Sequence, residues 1–155
     1  MYAQLCKKIA YMKNPKLELR TEIEINASTN EVWEALVNLE DYKNWNPFIT
    51  KANGYVIENQ VINVNPGGIK FSPTVLKVEP NKQFNWLGKL WFKGLFYGEH
   101  SFELITLENN RTLFKHSEKF KGILVPLFKK MLNVETKASF IEMNQALKKR
   151  VEVIN

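Results

Sequence analysis

Cysteine is almost absent from this chain of 155 residues, which contains only Cys6. A disulfide within the chain is therefore impossible, and a reducing cytoplasm is the compartment that we expect. Long apolar runs are absent too, because the longest, residues 123–128, is far too short to span a bilayer. We accordingly expect no stable insertion into a membrane.

Several fingerprints of catalysis and nucleotide binding are also missing. Gly67 and Gly68 are not followed by the Lys-Ser/Thr pair of a phosphate-binding loop. The chain has neither a serine nucleophile elbow nor a dinucleotide-binding glycine pattern. Repeats and linkers are absent, and we expect one domain over residues 15–155. Residues 1–14 lack the charged-then-apolar order of a signal peptide and would form an extension, either a short helix or disordered.

The formal net charge of +6 suggests an anionic partner, either a nucleic acid or a membrane surface. Most basic residues are scattered, however, and the clusters near the end of the chain lie at residues 129–130 and 148–150. The chain also lacks an aromatic-basic RNA-binding motif. We therefore expect no nucleic-acid partner, while the oligomeric state, monomer or dimer, stays open.

A regular alternation of side chains is present from the start of the expected domain. Residues 17–26 alternate apolar and polar side chains, which predicts a strand with one solvated face. Residues 28–30 are all candidate N-caps for the helix that follows. A second short helix is predicted over residues 41–45. It ends before Pro47, because the residue that precedes a proline is pushed out of the helical region.

The middle of the chain holds one candidate strand after another, and the end holds one long helix. The connections are too short for parallel crossovers, so the strands are expected to be antiparallel. No glycine or proline intervenes between Pro126 and about residue 151, which predicts a helix roughly 40 Å long. The candidate strands cover residues 49–57, 60–64, 69–78 and 83–88, and a hairpin covers residues 94–122.

The hairpin over residues 94–122 carries the candidate functional residues. Its two alternating strands flank a polar turn at residues 108–110. Because side chains alternate between the faces of a strand, His100, His116 and Glu118 all point to the face that carries the phenylalanines. A register that keeps both apolar sets on one side places His100 opposite His116 or Glu118.

Polar groups on a buried face require partners, and three interpretations follow. His100, His116 and Glu118 could form a structural network, completed by Asn144 or Ser139 from the helix. They could instead anchor a ligand in an apolar pocket. They are also candidates for catalysis, since a histidine held by a carboxylate can act as a general acid or base near neutral pH. Two histidines and one carboxylate can hold iron or zinc, but the chain offers no third histidine or suitable cysteine, so we expect no metal and no cofactor.

Several segments match patterns that occur together in one group of proteins. They are EVWEALVNLEDYKNWNPFI (31–49), FSPTVLKVEPNKQFNWLGKL (71–90), FYGEHSFEL (96–104), HSEKFKGIL (116–124) and FIEMNQALKKRVE (140–152). In this order they resemble the START-like superfamily, also called SRPBCC or Bet v 1-like. The similarity is greatest to its polyketide cyclase/dehydrase-like branch, and it covers about residues 17–151.

The resemblance implies an α+β helix-grip fold. A curved antiparallel sheet of about seven strands would wrap around the long C-terminal helix, with two short helices after the first strand. It also implies a deep apolar cavity between sheet and helix. We therefore expect a carrier or sensor that binds a hydrophobic small molecule or lipid. The alternatives are a cyclase or dehydratase that uses a cavity histidine as acid or base, and a protein- or membrane-interaction module without a small ligand.

Face parity and the resemblance together predict which residues line this cavity. His100, His116 and Glu118 would form its polar end, and Trp45 would lie at its mouth. The predicted apolar lining is Phe71 or Val75, Phe84 or Trp86, Phe102, Phe114, Phe128, Met131, Phe140 and Met143.

Overall fold

The protein is described here by a computed structural model that covers residues 16–90 and 94–152. The predicted extension over residues 1–14 lies outside the described residues. In chain order the strands are β1 Lys16–Ile25, β2 Ile49–Asn53, β3 Asn63–Pro66, β4 Thr74–Glu79, β5 Gln83–Leu90, β6 Phe96–Leu107 and β7 Arg111–Lys121. The helical segments are α1 Thr29–Val37, a 3₁₀ turn Leu39–Asp41, α2 Tyr42–Trp45, α3 Val125–Met131, a π-helical turn Leu132–Thr136 and α4 Lys137–Glu152.

The strands form an antiparallel sheet of five in the order β1-β7-β6-β5-β4 and a second sheet of two, β2-β3. Isolated bridges, Val61 with Thr74 and Val64 with Phe71, connect the two sheets. The α+β helix-grip fold is therefore confirmed. The strand predicted over residues 69–78 begins later than expected, because β4 starts at Thr74. The preceding residue, Pro73, has no N–H to donate to a neighbouring strand.

The first helix begins where the candidate caps lie. Ser28 is the N-cap residue, and its hydroxyl accepts a hydrogen bond from the backbone N–H of Glu31. The Glu31 carboxylate accepts from the backbone N–H of Ser28 in return, at 2.7 Å. This reciprocal capping box fixes the start of α1, so that Val32, Trp33 and Leu36 point into the core.

The β6–β7 hairpin has the predicted face parity. Asn109 and Asn110 both adopt positive φ in its turn, a conformation that asparagine tolerates. The register pairs His100 with Glu118 and Phe102 with His116. Both imidazoles consequently point to the concave, apolar face of the sheet.

The helical segments over residues 125–152 run on as one long helix, as predicted, with Pro126 in its first turn. The π-helical turn within this helix was not predicted from the sequence. Backbone angles at both ends of that turn remain helical, with φ/ψ of −60°/−46° at Leu132 and −65°/−39° at Lys137. The outward face of this helix exposes Leu127 and Val134. Within the described residues, no helix is long and apolar enough to cross a membrane.

The space between sheet and helix is occupied unequally. One end is filled by the main core cluster, in which Phe84, Phe102 and Phe114 from the sheet meet Met143 and Leu147 of α4. A second cluster lies toward α3 and includes Leu19, Phe120, Val125, Leu132 and Phe140. We call these regions the filled end and the open end, because a cavity adjoins the second one.

Candidate functional site

The cavity at the open end has a volume of about 600 Å³. Its walls come from the inner faces of β5, β6 and β7, from the segment between β3 and β4, and from α3 with the π-helical turn. Among the described residues, most of the lining is apolar, and six of the lining side chains are phenylalanine or tryptophan: Phe48, Phe71, Trp86, Phe96, Phe120 and Phe128. The polar side chains in the lining are His100, Glu118, Glu135, Thr136 and Ser139.

Part of the predicted lining lies on this cavity wall. It comprises His100, Glu118, Phe71, Trp86, Phe128 and Met131. Met131 is 42 % exposed although it faces the opening, which places it at the rim. Sheet and helix thus bring both elements of the predicted site, the polar end and an aromatic wall, into one space.

The other predicted lining residues lie elsewhere, which corrects the sequence-based assignment. Phe84, Phe102, Phe114, Met143 and Val75 are fully buried in the filled end. They share a face with the cavity residues, but α4 packs directly on them there. The alternation of side chains along a strand predicts which side of the sheet a residue faces. It does not predict whether that residue lies at the filled end or at the open end.

Three further residues of the predicted site do not line the cavity: Trp45, Phe140 and His116. Trp45 packs edge-on against Tyr42, with ring centroids 4.9 Å apart, and joins the filled end rather than the mouth. Phe140 is completely buried and stacks on His116 at 3.9 Å. His116 itself is fully buried behind His100, so only one of the two imidazoles reaches the cavity.

A series of hydrogen bonds connects the cavity to β1, at the edge of the five-stranded sheet. His100 Nε2 lies 2.5 Å from His116 Nε2. His116 Nδ1 lies 2.8 Å from Asn144 Oδ1, which makes α4 a partner of the histidine pair. Asn144 Nδ2 donates in turn to Thr21 Oγ1 of β1 at 2.9 Å. The network therefore joins β1, β7, β6 and α4, and Asn144 is the helix residue that completes it.

Burial governs the protonation of this network. It lowers the pKa of His100 well below its ordinary 6.5, and repulsion from His116 adds to the effect. It also lowers the pKa of His116 to about 4, which the hydrogen bond with Asn144 only partly opposes. Aromatic rings surround both imidazoles, with Phe102 at 4.7 Å from His100 and 5.0 Å from His116. Both histidines are thus neutral at physiological pH.

Glu118 lies beside the histidine pair at the cavity wall. Its Oε2 is 3.6 Å from His100 Nδ1, and its side chain is 16 % exposed, toward the cavity. Burial raises the pKa of Glu118 to about 8. Gly98 makes room for this carboxyl group, because a Cβ at that position would lie 2.2 Å from Glu118 Oε1. A side chain at position 98 would therefore displace the Glu118 carboxyl from the position it occupies here.

Three polar cavity residues were not predicted from the sequence: Glu135, Thr136 and Ser139, which the π-helical turn and the start of α4 place in the lining. Thr136 and Ser139 interrupt the apolar stripe of the helix, and this was the available signal. Among the described residues, no group of three or more His, Cys, Asp or Glu side chains is placed to hold a metal ion.

Solved structures of low sequence identity share this fold. A START superfamily protein from Mycobacterium smegmatis is 18% identical, with a TM-score of 0.69 over 89% of this chain and 99% of that chain. An aromatase/cyclase from Streptomyces is 14% identical, with a TM-score of 0.71 over 89% of this chain and 94% of that chain. Norcoclaurine synthase from Thalictrum flavum, in complex with dopamine and hydroxybenzaldehyde, is 12% identical, with a TM-score of 0.71 over 95% and 92%.

No curated protein sequence matches this chain significantly. A family profile described as polyketide cyclase / dehydrase and lipid transport matches residues 16–152. This match spans all of the residues whose structure is described above, and the structural neighbours include a START superfamily protein. The chain therefore belongs to the polyketide cyclase / dehydrase and lipid transport family, and it shares its fold with a START superfamily protein.

Proposed function

We propose that the protein binds an apolar small molecule or lipid in the cavity at its open end and acts as a carrier or sensor. The observation that carries this proposal is a cavity of about 600 Å³ whose wall is mainly apolar and whose inner end is polar. Binding sites for small molecules have this size and this composition, in which a few placed polar groups fix the orientation of the ligand.

The apolar surface inside the cavity favours an apolar ligand. Phe96 and Phe128 contact each other edge-on, with ring centroids 5.8 Å apart, and both also face the open space. Transfer of such surface from water to an apolar ligand is favourable, at roughly 25 cal/mol for each Å² that is covered. An apolar ligand would complete the packing that α4 provides at the filled end.

The comparisons support the same class of ligand without naming one. The family description combines polyketide cyclisation or dehydration with lipid transport. One structural neighbour is an aromatase/cyclase, and another holds dopamine and hydroxybenzaldehyde. Aromatic or lipid-like molecules are accordingly the first to test.

The direct experiment is native mass spectrometry of the purified protein, followed by extraction of any bound compound. Ser139→Phe would place a ring in the cavity from α4, whereas Ala138→Phe would place one on the exposed neighbouring position of the same helix. We expect a bound apolar compound in the wild type and in Ala138→Phe, and loss of it in Ser139→Phe. Equal retention in both variants would contradict binding in this cavity.

A second candidate function, an enzyme of the cyclase or dehydratase type, is favoured by the titratable pair at the cavity wall. Glu118 and His100 stand 3.6 Å apart, within reach of a ligand bound in the cavity, and could act as general acid and base. The compounds extracted from wild type and from Glu118→Gln separate the two functions. A carrier yields the same compound from both, whereas an enzyme yields product from the wild type and unreacted substrate from the variant.

A further inference from the structure

The hydrogen bonds behind the cavity run in one donor-to-acceptor direction. Thr21, at the end remote from the cavity, determines which direction this is. The Thr21 hydroxyl donates to the backbone carbonyl of His116 at 3.2 Å. A hydroxyl has one hydrogen, so Thr21 Oγ1 accepts from the Asn144 amide at 2.9 Å. The Asn144 side chain is thereby oriented with its NH₂ group toward Thr21 and its oxygen toward His116.

The tautomers of both histidines follow from this orientation. An amide oxygen only accepts, so His116 Nδ1 carries a hydrogen and donates to Asn144 Oδ1. A neutral imidazole has one N–H, which leaves His116 Nε2 as an acceptor, and the facing Nε2 of His100 must donate to it. His100 Nδ1 therefore has no hydrogen, and its lone pair faces Glu118 at the cavity wall.

Among the described residues, Glu118 meets this lone pair without a cation in the cavity lining. The titratable side chains in the cavity lining are His100 on β6, Glu118 on β7 and Glu135 on the π-helical turn, and no lysine or arginine of the described residues contributes to it. Leu19 is the partner of Glu118 on β1. Burial raises the pKa of Glu118 to about 8, in the same direction that this geometry indicates. A carboxyl group held between an unprotonated nitrogen and an apolar wall is favoured in its neutral form.

We propose that neutral Glu118 and the unprotonated Nδ1 of His100 form a donor–acceptor pair that selects apolar ligands ending in an uncharged ketone or hydroxyl group. Glu118 donates its hydrogen to the oxygen of such a ligand, and a ligand hydroxyl donates to His100 Nδ1. A ligand that ends in a carboxylate is rejected, because its charge would be buried beside an acid and a lone pair. This inference rests on the proposed function, since it concerns the chemistry of the same cavity.

Four naphthalene probes of matched size test the selection: naphthalene, 2-acetylnaphthalene, 2-naphthoate and 2-(aminomethyl)naphthalene, each titrated calorimetrically. At pH 6.5 we expect 2-acetylnaphthalene to bind about tenfold more tightly than naphthalene or 2-naphthoate, as one satisfied buried hydrogen bond provides. This preference should fade as the pH rises beyond about 8. Glu118→Gln keeps a donor and should retain the preference without its pH dependence, whereas Glu118→Leu should lose the preference and still bind naphthalene.

Glu103→Gln is the matched control, because it neutralises a carboxylate on the opposite, exposed face of β6 and should leave preference and pH dependence unchanged. Binding of all four probes with equal affinity, or tightest binding of the ammonium probe, would overturn the inference and leave the proposed function intact. Binding of none of the four would overturn the proposed function and the inference with it. A readout without ligand is the ¹³C NMR titration of the Glu118 carboxyl, assigned with Glu118→Gln. We expect a midpoint near 8, and a midpoint below 6 would overturn the inference.

Discussion

The filled end and the open end of the molecule use the same face of the same strands, but only one of them holds a cavity. At the filled end, Phe114 is completely buried and the side chains of α4 reach the sheet. At the open end, two paired strand residues are glycines, Gly88 and Gly98, and both line the cavity. Opposite them, the helix passes through its π-helical turn. The comparison teaches that a cavity arises where the sheet lacks bulk and the helix departs from regular packing, even though the apolar pattern continues.

The polar network lies at the boundary between the two ends. Phe140 covers His116 from the helix side, and Asn144 binds it one turn further along α4. On the cavity side, only His100 and Glu118 emerge. The network therefore closes the filled end with hydrogen bonds, and His100 and Glu118 form the polar wall of the open end.

The largest expected effect compares one phenylalanine from each end. Phe114→Ala removes a completely buried ring and should lower the free energy of unfolding by about 3–5 kcal/mol, because it leaves a void in packed surroundings. Phe128→Ala removes a half-buried ring that already faces open space and should lower it by about 1 kcal/mol or less. Urea denaturation of both variants measures the difference. Equal losses would mean that the open end is packed like the core.

Removal of the network's helix partner should have the next largest effect. Asn144→Ala removes the side-chain acceptor of the Nδ1–H of fully buried His116, which should lower the free energy of unfolding by about 1–3 kcal/mol. Gln145→Ala, at the exposed neighbouring position, should change it by less than about 0.5 kcal/mol. If Asn144→Ala is as harmless as its neighbour, the network does not hold the two ends together.

A pH-dependent effect should distinguish Glu118 from the histidines. The folded protein keeps the Glu118 proton up to about pH 8, whereas the unfolded chain loses it near pH 4.5, so the wild type loses stability as the pH rises through this window. Glu118→Gln cannot ionise and should gain about 1–3 kcal/mol over the wild type by pH 8. Denaturation at pH 5, 6.5 and 8 measures this gain, with Glu103→Gln on the opposite, exposed face as the control.

The histidines act in the opposite sense at lower pH. Their pKa values are lowered by burial, so the unfolded chain binds more protons than the folded protein between about pH 6.5 and pH 4. Stability should fall as the pH falls through this range, in the wild type and in Glu118→Gln alike. If the stability of Glu118→Gln relative to the wild type does not increase between pH 5 and pH 8, burial does not raise the pKa of the Glu118 carboxyl.

A smaller effect is expected from closing the space at Gly98. Gly98→Ala adds a Cβ that meets Glu118 Oε1 at 2.2 Å and would force the carboxyl aside. The affinity for 2-acetylnaphthalene should fall about fivefold, which is about 1 kcal/mol. Gly88→Ala is the matched control, because its nearest contact would be an ordinary 3.7 Å. Loss of affinity in the control alone would contradict the role given to Gly98.

The smallest effect is expected outside the cavity. Leu127 and Val134 are 74% and 61% exposed on the outward face of the long helix. The double variant Leu127→Ser/Val134→Ser should leave probe binding unchanged if the cavity is the functional surface. Loss of a cellular role with intact probe binding would instead favour the interaction-module hypothesis.

The sequence predicted the side of the sheet but not the position of the gap along it. A strand period of two was enough to bring His100, His116 and Glu118 to one face, and the motifs were enough for the fold. Phe102 and Trp86 occupy equivalent faces of neighbouring strands, yet Phe102 is core and Trp86 reaches the cavity. That difference depends on where the helix crosses the sheet, which a local pattern does not encode.

The π-helical turn was unpredictable for a related reason. Residues 132–136 contain no glycine or proline, so nothing in their local preference marks a break from regular helix. Within this turn, Leu132 is buried in the second core cluster, and Glu135 and Thr136 line the cavity, so the turn accompanies tertiary contacts that the local sequence does not encode.

Two methionines allow the central claim to be tested in one measurement. Met131 lies at the cavity rim, and Met143 is completely buried in the filled end. With ¹³C-methyl-labelled methionine and 2-acetylnaphthalene as the probe, we predict that ring currents shift the Met131 methyl signal and leave the Met143 signal in place. A bound probe that moves the Met143 signal, or leaves the Met131 signal unmoved, would contradict a ligand cavity at the open end.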